Sequence, residues 1–290
     1  MSATDSFVTH RGLLFTVAYE LLGSAADAED VLQETWLRWA EVDVDAVLDH
    51  RAYLVRTTSR LALNRIRSNS RRRESYVGPW LPEPLLTAPD VAEDVALADS
   101  VSTAMLLVLE TLTPTERAVF VLREVFDVPY DEIAAAVEKS PAAVRQIAHR
   151  ARSHVEARRP RATLGAGERD AVMARFVRAV ETGDLQSLMD VLAPDVVLLT
   201  DGGGVKKAAL RPIRGVAKVL RFIAAVTPAD VAVGAEPVLV NGATGLRLTS
   251  DGVLDTLATV RVDDGLVTEL YFVRNPSKLA WLDAEVSLER

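Results

Sequence analysis

Five polar side chains recur at helical spacing in one short stretch of this 290-residue chain: Arg145, Gln146, His149, Arg150 and Arg152. The positions between them carry apolar or small residues: Val144, Ile147, Ala148, Ala151 and Val155. At 3.6 residues per turn the two sets fall on opposite faces of a helix, one face to pack and the other to point outward. Arginine and glutamine can hydrogen-bond to base edges in the major groove of DNA. This stretch therefore predicts a helix that can read a DNA sequence.

The residues just before this stretch supply the element that would position it. Residues 128–137 predict a short first helix, Glu138-Lys139-Ser140 predicts a turn, and Pro141 suits the first position of the second helix. This pattern is typical of a helix-turn-helix, whose second helix enters the major groove. The alternative is an ordinary helical hairpin with a solvated basic face. The turn length, the small residues and the positive charge favour DNA binding.

A second basic stretch covers residues 51–73, which hold eight arginines and no acid. A solvated helix face normally mixes in glutamates as i,i+4 partners, and none is present here. Arginines without such partners favour contact with phosphates. Within this stretch Asn64 could contact a base or a sugar. The residues that we expect to contact DNA are Arg56, Arg60, Asn64, Arg65, Arg67, Arg71 and Arg72.

The two basic stretches stand in an acidic protein, with 33 Lys+Arg against 41 Asp+Glu and a net charge of −8. Such a chain would contact a polyanion at two places and repel it elsewhere. The absence of cysteine excludes disulfides, thiolate zinc sites and a cysteine nucleophile. No secretory signal is visible, and no apolar run approaches the ~20 residues that span a bilayer. We therefore expect a cytoplasmic protein without membrane contact, cofactor or metal.

The sequence divides into four segments: a helical segment at 1–75, a proline-rich linker at 76–92, a second helical segment at 93–160 and a segment with both helices and strands at 166–290. The linker holds Trp80-Leu81-Pro82-Glu83-Pro84, whose prolines fix φ and remove amide donors. We expect its Trp80-Leu81 pair to be exposed and to serve either as a simple anchor on a nearby groove or as a specific regulatory contact. In the third segment, Thr113-Pro114-Thr115-Glu116 predicts a capped helix start.

The segment at 166–290 predicts an α+β fold in which helices come first and an antiparallel meander then curls over them. Helical patterns cover 168–182, 184–192 and 215–226, and Val196–Leu199 reads as a strand before the turn Asp201-Gly202-Gly203-Gly204. Later apolar runs are separated by dipeptides that are typical of β-hairpins. These dipeptides are Asn241-Gly242, Asp251-Gly252 and Asp264-Gly265.

The ordered motifs of the first 155 residues resemble those of extracytoplasmic-function (ECF) RNA polymerase sigma factors. Ala28–Arg38 resembles the region 2.2 helix, which in the family docks on the polymerase clamp. His50–Arg73 resembles regions 2.3 and 2.4, which melt and read the −10 element. Leu112–Phe120 with the helix-turn-helix resembles region 4, which reads the −35 element. The resemblance implies core RNA polymerase and promoter DNA as partners, and polymerase contacts at Asp30, Gln33, Glu34, Trp36 and Arg38.

Three further motifs resemble signatures of one subgroup of this family, the ECF41/SigJ-type group: Trp80–Pro84, Asp201–Gly204 and Asn275–Leu279. In this subgroup a SnoaL-like cone-shaped domain is fused after region 4. Two departures stand out: Val205 follows the glycines where a lysine is usual, and Ser277 stands where an Asp is common. The resemblance implies that the fused domain acts in cis on the sigma domains. The residues implied in this regulation are Trp80, Leu81, Pro82, Glu83, Pro84, Asp201, Gly202, Gly203, Gly204, Asn275, Pro276, Lys278 and Leu279.

The fused domain admits three functions, because SnoaL-like folds host enzymes as well as non-enzymes. An acid–base enzyme would need a histidine or comparable base in a pocket, yet all four histidines precede residue 155. Binding of a small ligand in the cone-shaped cavity stays open, and regulation in cis is favoured.

For the whole chain the alternatives to a sigma factor are a stand-alone two-site repressor and an enzyme with a DNA-binding appendage. The acidic helix that carries Trp36 and Trp39 favours polymerase docking, and we expect no chemical step.

Overall fold

The computed structural model describes residues 2–158, 166–226, 233–282 and 284–290, and the side chains of residues 70–72, 166, 181 and 233 lie outside that description. The described residues divide into two compact units. The helical unit comprises residues 2–74, 88–158 and 286–290. The sheet unit comprises residues 75–87 and the described part of 166–285. Both units are therefore discontinuous along the chain.

Nine helices are described in the helical unit, with a 3₁₀ turn at Val44–Ala46 and a π-helical turn at Val121–Val125. They are α1 (Ala3–Leu22), α2 (Ala25–Ala40), α3 (His50–Glu74), α4 (Pro89–Glu93), α5 (Val95–Val101), α6 (Thr103–Glu110), α7 (Pro114–Phe120), α8 (Tyr130–Val137) and α9 (Pro141–Glu156). Local caps fix several of their starts. Thr113 and Glu116 form the predicted capping box at α7, and Ser140 caps α9.

The segment predicted as an unstructured linker contains one short helix. Pro89 occupies the first turn of α4, where its missing amide proton would have had no partner in any case. Proline therefore starts a helix here, and the prediction of a linker without helix up to residue 92 was wrong for residues 89–92. Residues 75–87 hold no helix, as expected.

The sheet unit is an α+β fold built on one six-stranded sheet. Its strands are β1 (Leu192–Asp201), β2 (Ile213–Arg214), β3 (Val233–Val240), β4 (Ala243–Ser250), β5 (Val253–Asp263) and β6 (Leu266–Val273). Its helices are α10 (Ala166–Thr182), α11 (Leu185–Val191), α12 (Val216–Val226) and α13 (Pro276–Leu279). The strand order is β2-β1-β6-β5-β4-β3, with β1 parallel to β6 and the other pairs antiparallel.

The three predicted hairpin turns join the strands of the meander. Each dipeptide has positive φ at both residues, as in Asn241 (52°) with Gly242 (71°). Asparagine, aspartate and glycine tolerate this left-handed backbone at low cost, and the resulting turn matches the twist of the flanking strands. The meander β3–β6 is therefore specified by local sequence.

The core of the sheet unit lies between one sheet face and the helices. Phe176 of α10, Val191 of α11 and Val219 of α12 pack there with Leu246, Leu270 and Phe272 of the sheet. The apolar side chains of alternate strand positions thus fill the space under the helices. Among the described helices none is long and apolar enough to cross a bilayer.

Candidate nucleic-acid interface and linker junction

Helix α9 has the two faces that its spacing predicts. Its buried residues are Val144, Ile147, Ala148, Ala151 and Val155. The five predicted polar residues are all exposed: Arg145, Gln146, His149, Arg150 and Arg152. The turn before it ends at Ser140, whose Oγ accepts the Ala143 amide proton at 3.3 Å. Glu138 closes α8 in the left-handed conformation, at φ 57°. The local sequence thus fixes the direction in which α9 leaves the turn.

The exposed side chains of α9 differ in how firmly they are held. Arg152 donates to Glu124, with Nη2 2.6 Å from Oε1, so its guanidinium is drawn towards its own domain. The Arg150 Nε lies 3.9 Å from Glu116 Oε1, a looser ion pair. Arg145 lies over the ring of Tyr130, with its Cζ 5.8 Å from the ring centroid. Arg145, Gln146, His149 and Arg150 together line one shallow open depression.

Helix α3 presents part of its predicted DNA-contacting set to solvent. Arg56, Arg60, Asn64 and Arg67 are exposed. Arg65 is half-buried and pairs with Asp30 of α2 at 3.0 Å. The side chains of Arg71 and Arg72 lie outside the described residues. Arginines of the basic stretch therefore have acidic partners on other helices, which the sequence alone did not reveal.

Helix α2 presents an acidic polar face, as predicted. Asp30, Gln33, Glu34 and Arg38 are exposed, and Arg38 donates to Glu34 at 2.7 Å. Trp36 is half-buried, with its ring edge-to-face on Phe7 at 5.3 Å.

The second tryptophan of α2 has a different role. Trp39 is fully buried and donates its indole proton to the Ala3 carbonyl oxygen at 2.9 Å. It is a core residue and does not belong to the exposed docking face. The exposed apolar residue of this helix is Leu37, at 60% of its full accessibility.

Within the helical unit, α3 packs against both α7 and α8. Arg60 forms an ion pair with Glu138, which lies in the turn of the helix-turn-helix. Arg73 of α3 pairs with Glu110 of α6, and it also donates to the Leu22 carbonyl oxygen at 2.7 Å. The two basic stretches are therefore brought into one compact unit, with an acid of one contacting an arginine of the other.

Two arginines of this unit, Arg117 buried and Arg73 half-buried, lie next to the same carboxylate. Arg117 of α7 donates to Glu110 at 2.6 Å and to the Leu21 carbonyl oxygen at 3.0 Å. Burial lowers the pKa of Arg117 to about 10 and the pKa of Arg73 to about 10, where both remain charged at neutral pH. Glu110 thus joins α3 to α7 through charge-assisted hydrogen bonds.

A buried carboxyl group lies at a second contact of the same unit. Glu20 of α1 is 1% exposed, and its Oε1 lies 2.7 Å from the Ser100 hydroxyl of α5. Burial raises the pKa of Glu20 to about 8. The Ser100 oxygen also lies 2.9 Å from the Leu97 carbonyl oxygen, and its single proton cannot serve both acceptors.

In the sheet unit, Asp201 is the centre of the linker junction, which we define as the contacts of residues 75–87 with the rest of that unit. One carboxylate oxygen, Oδ2, accepts from the Leu81 amide at 2.9 Å and from Lys278 Nζ at 2.8 Å. The other, Oδ1, accepts from the Tyr76 hydroxyl at 2.6 Å and from the Gly203 amide at 3.0 Å. Asp201 has no solvent exposure, so these four donors replace water completely.

Lys278 connects the same carboxylate to the linker's aromatic residues. Its Nζ lies 4.1 Å from the Trp80 ring centroid and 5.1 Å from that of Tyr76, and it also donates to the Leu81 carbonyl oxygen. The ammonium group is therefore neutralised by Asp201 and flanked by two π-systems. Leu81 itself is 0% exposed and Trp80 is half-buried, which corrects the expectation of an exposed Trp80-Leu81 pair.

The Asn275 side chain links the glycine turn to the start of α13. Its Nδ2 donates to the Tyr76 hydroxyl at 2.9 Å, and its Oδ1 accepts from the Ser277 amide and hydroxyl at 3.1 and 2.8 Å. A Cβ on Gly203, which has φ +60°, would lie 2.4 Å from Asn275 Nδ2. Both the backbone conformation and the space at residue 203 therefore require glycine.

The rest of the implied regulatory set lies around these contacts. Pro82, Pro84 and Leu279 are buried, Glu83 is half-buried, and Gly204 and Pro276 are exposed. Gly202 is packed so closely that a Cβ would lie 2.2 Å from the Lys206 carbonyl oxygen. The basic residue after the glycines makes a contact of its own, because Lys206 Nζ lies 3.1 Å from Asp255 Oδ1.

Residues that the sequence reasoning missed complete the junction. Asn241 of the first hairpin turn accepts the Leu85 amide proton at 3.0 Å, and its own amide donates to the Leu85 carbonyl oxygen at 3.0 Å. Thr87 accepts the Gly242 amide at 3.0 Å. Tyr76 is the third missed residue, and burial together with Asp201 raises its pKa. The Asn-Gly dipeptide is a turn signal, and no local pattern shows that it also binds a distant segment.

Comparison with known proteins finds matches for the two helical regions and for nearly the whole chain. It matches the family models Sigma-70 region 2 over residues 7–72 and Sigma-70 region 4 over residues 102–155. It is 38% identical to the ECF RNA polymerase sigma factor SigJ of Mycobacterium tuberculosis, over 94% of this chain and 92% of that protein. It is 34% identical to the probable ECF RNA polymerase sigma factor SigI of the same species, over 96% and 94%. The crystal structure of SigJ aligns at 35% identity with a TM-score of 0.77, covering 97% of this chain and 99% of that one.

Proposed function

The chain belongs to the ECF RNA polymerase sigma factors. We propose that three of its surfaces carry out promoter-specific transcription initiation with core RNA polymerase. Helix α9 reads the −35 element through Arg145, Gln146, His149 and Arg150. Helix α3 contacts the −10 element, and the exposed face of α2 docks on the polymerase. The observation that carries this assignment is the outward polar face of α9 above a buried apolar one. The protein acts where the polymerase and chromosome are, in the cytoplasm.

The compact helical unit cannot engage both promoter elements at once. Positions −35 and −10 are separated by roughly 25 base pairs, on the order of 85 Å of duplex at about 3.4 Å per base pair. In the helical unit, by contrast, Arg60 of α3 contacts Glu138 of the helix-turn-helix directly. Initiation therefore requires α3 to separate from α8, which breaks this ion pair and frees Arg60 for DNA.

The linker is the part through which the sheet unit regulates this separation in cis. Fully extended, residues 75–87 would span about 45 Å at 3.3–3.6 Å per residue. Their docking on Asp201, Lys278 and Asn241 fixes their path instead. The docked linker supplies two of the four donors to the buried Asp201 carboxylate, the Leu81 amide and the Tyr76 hydroxyl, so its release would remove two hydrogen bonds from a buried acceptor. Release of the linker would restore its reach.

We assign no chemical step to the sheet unit. Its residues supply no histidine, and the space under its helices is filled by apolar side chains such as Phe176 and Phe272. Regulation through the linker accounts for the buried polar contacts of the linker junction.

The test is promoter-dependent transcription with core polymerase on a library of −35 sequences. A bidentate contact of arginine with guanine is worth about 1–3 kcal/mol of discrimination, so Arg145→Ala should relax preference at one or two positions by about 5- to 150-fold. Arg158→Ala, in the exposed turn just after α9, is the matched control and should leave preference unchanged.

Three results would contradict the assignment. A uniform loss across all sequences would make Arg145 a phosphate contact. Specific DNA binding without any promoter-dependent transcription by core polymerase would favour the stand-alone repressor. Equal effects of the Arg145 and Arg158 variants would remove α9 from promoter reading.

A further inference from the structure

The C-terminal segment Val286–Arg290 belongs to the helical unit, although the chain just before it belongs to the sheet unit. Leu288 is 4% exposed, whereas the neighbouring Ser287 is exposed. A five-residue segment without regular secondary structure buries a leucine only when a partner surface covers it. The segment is therefore docked, and its contacts define where.

Helix α1 provides the first half of the docking surface. The Glu289 amide donates to Thr16 Oγ1 at 2.9 Å, and Thr16 is fully buried with its hydroxyl 2.9 Å from the Gly12 carbonyl oxygen. The Glu289 carboxylate lies directly against Gly12, where an added Cβ would come within 2.6 Å of Glu289 Cδ. Glycine and threonine one turn apart thus make a notch on α1 that a backbone amide and a side chain occupy.

The start of α5 provides the second half. Arg290 Nε pairs with Asp94 Oδ2 at 2.8 Å. The other oxygen of Asp94 caps α5 by accepting from the Ala96 and Leu97 amides at 3.1 Å each. Asp94 is thereby oriented by the helix that it caps, and its free oxygen is available to a cation.

The charge around Arg290 matches the segment. Arg290 also lines a small cavity of about 210 Å³ whose walls include the acids Asp99 and Glu156, together with Glu124, which is already paired with Arg152 of the same wall. An acidic rim attracts a basic side chain and disfavours an acidic one. The surface thus fits a peptide with an apolar residue, then a residue whose side chain lies against Gly12, and then a basic residue.

We propose that α1 and the start of α5 form a peptide-docking site for the chain's own Val286–Arg290 segment, which we call the strap. The strap holds the region 2 helices (α1–α3) against the segment that leads into region 4, because α5 packs on α6 and on the π-helical turn. It keeps Arg60 and Glu138 in contact, and it must leave before the chain spans a promoter. This last step rests on the proposed function, whereas the docking site does not.

The experiment measures the separation of the two halves in the full chain without polymerase or DNA. The chain has no cysteine, so Leu48→Cys and Ser153→Cys give two unique dye positions, both exposed, for single-molecule energy transfer. We expect a closed population in the parent chain. Ending the chain at Glu285, or replacing Arg290 with Glu, should lower the closed fraction at least two-fold. Ser287→Ala is the matched control and should leave it unchanged.

A peptide of sequence Val-Ser-Leu-Glu-Arg supplies the second arm. Added to the shortened chain, it should restore the closed fraction, and a peptide with Arg replaced by Glu should not. Should the shortened chain fail to fold, Arg290→Glu and Leu288→Ser in the full chain give the same comparison. A closed fraction that stays constant in all these variants overturns the proposal. Opening without any gain or loss of transcription would contradict the proposed function and leave the docking site standing.

Discussion

At the scale of single residues, the helical unit depends on polar groups that the surrounding helices remove from water. Glu20, Arg73 and Arg117 all lie where α1 and α3 meet the helices between 88 and 120. Within the described residues Glu20 Oε2 has no hydrogen-bond partner, as fits a carboxyl group that stays neutral. A buried neutral acid packs without the cost of a buried charge, so its protonation and the packing of α1 on α5 depend on each other.

The first prediction concerns the pH dependence of stability at Glu20. Its pKa in the folded chain, about 8, lies above the ordinary value of 4.5. A raised pKa means that the folded state binds the proton more tightly, so its contribution to stability is complete below pH 4.5 and is lost as the pH rises towards 8. The free energy of unfolding should therefore fall by up to about 1.4 kcal/mol per pH unit in this window because of this group.

Glu20→Gln should remove that slope and raise the unfolding midpoint above pH 8, since a neutral amide keeps a hydrogen bond with Ser100. Thermal melts between pH 5 and pH 9 measure the effect. The exposed Glu93→Gln variant is the control and should follow the parent curve. Parallel curves for the parent and Glu20→Gln would show that Glu20 ionises normally.

At the scale of elements, local sequence determines most of what was predicted correctly. The cap at Thr113, the cap at Ser140 and the two-residue turns of the meander each depend on contacts within a few positions. The faces of α9 follow from its spacing alone. The ion-pair partners of Arg65 and Arg60 could not be predicted from the sequence, because Asp30 and Glu138 lie 35 and 78 positions away. An ion pair over such a separation leaves no local sequence pattern.

The second prediction concerns polymerase docking by α2. Asp30 is a poor site for charge reversal, because a lysine there would face Arg65 at the α2–α3 contact. Glu34 is better, since its partner Arg38 is on the same helix and an exposed i,i+4 pair contributes only about 0.3–0.5 kcal/mol. Glu34→Lys should weaken binding to core polymerase at least ten-fold while leaving the melt within about 1 °C.

Asp45→Lys makes the same charge change at an exposed site outside α2, and it should bind core polymerase as the parent does. Affinity for core enzyme, measured on immobilised full-length protein, separates the two variants. If both variants lose affinity equally, net charge and not the α2 face controls docking.

At the scale of the whole chain, the sequence motifs indicated which segments matter but not how they meet. Trp80-Leu81, Asp201–Gly204 and Asn275–Leu279 were all singled out, and they do converge in the sheet unit. The burial of Leu81 and the roles of Tyr76 and Asn241 were missed, because these contacts join positions 120 to 199 residues apart. The strap was missed for the same reason.

The third prediction concerns the linker junction. Trp80→Ala removes the ring that lies over Lys278 and leaves the Asp201 ion pair in place, so the linker should dock less firmly. Promoter-dependent transcription should change several-fold, while the unfolding midpoint shifts by no more than a few degrees. Val77→Ala, at an exposed linker position, is the control. Identical transcription by all three proteins, each with a native-like melt, would remove the linker junction from regulation.

The wide spacing of the partners in the linker junction also sets an order of events during synthesis. When Leu81 leaves the ribosome, Asp201 is 120 residues away and the Lys278 side chain is 197 residues away. At about 5–20 residues per second, roughly 10–40 s pass before both partners of the linker exist. In the later part of that interval both sets of DNA-reading helices are already made, because α9 ends at Glu156, whereas Asp201 and Lys278 are translated after it. Each newly made molecule therefore passes through an unrestrained state once, before its own regulator has been translated.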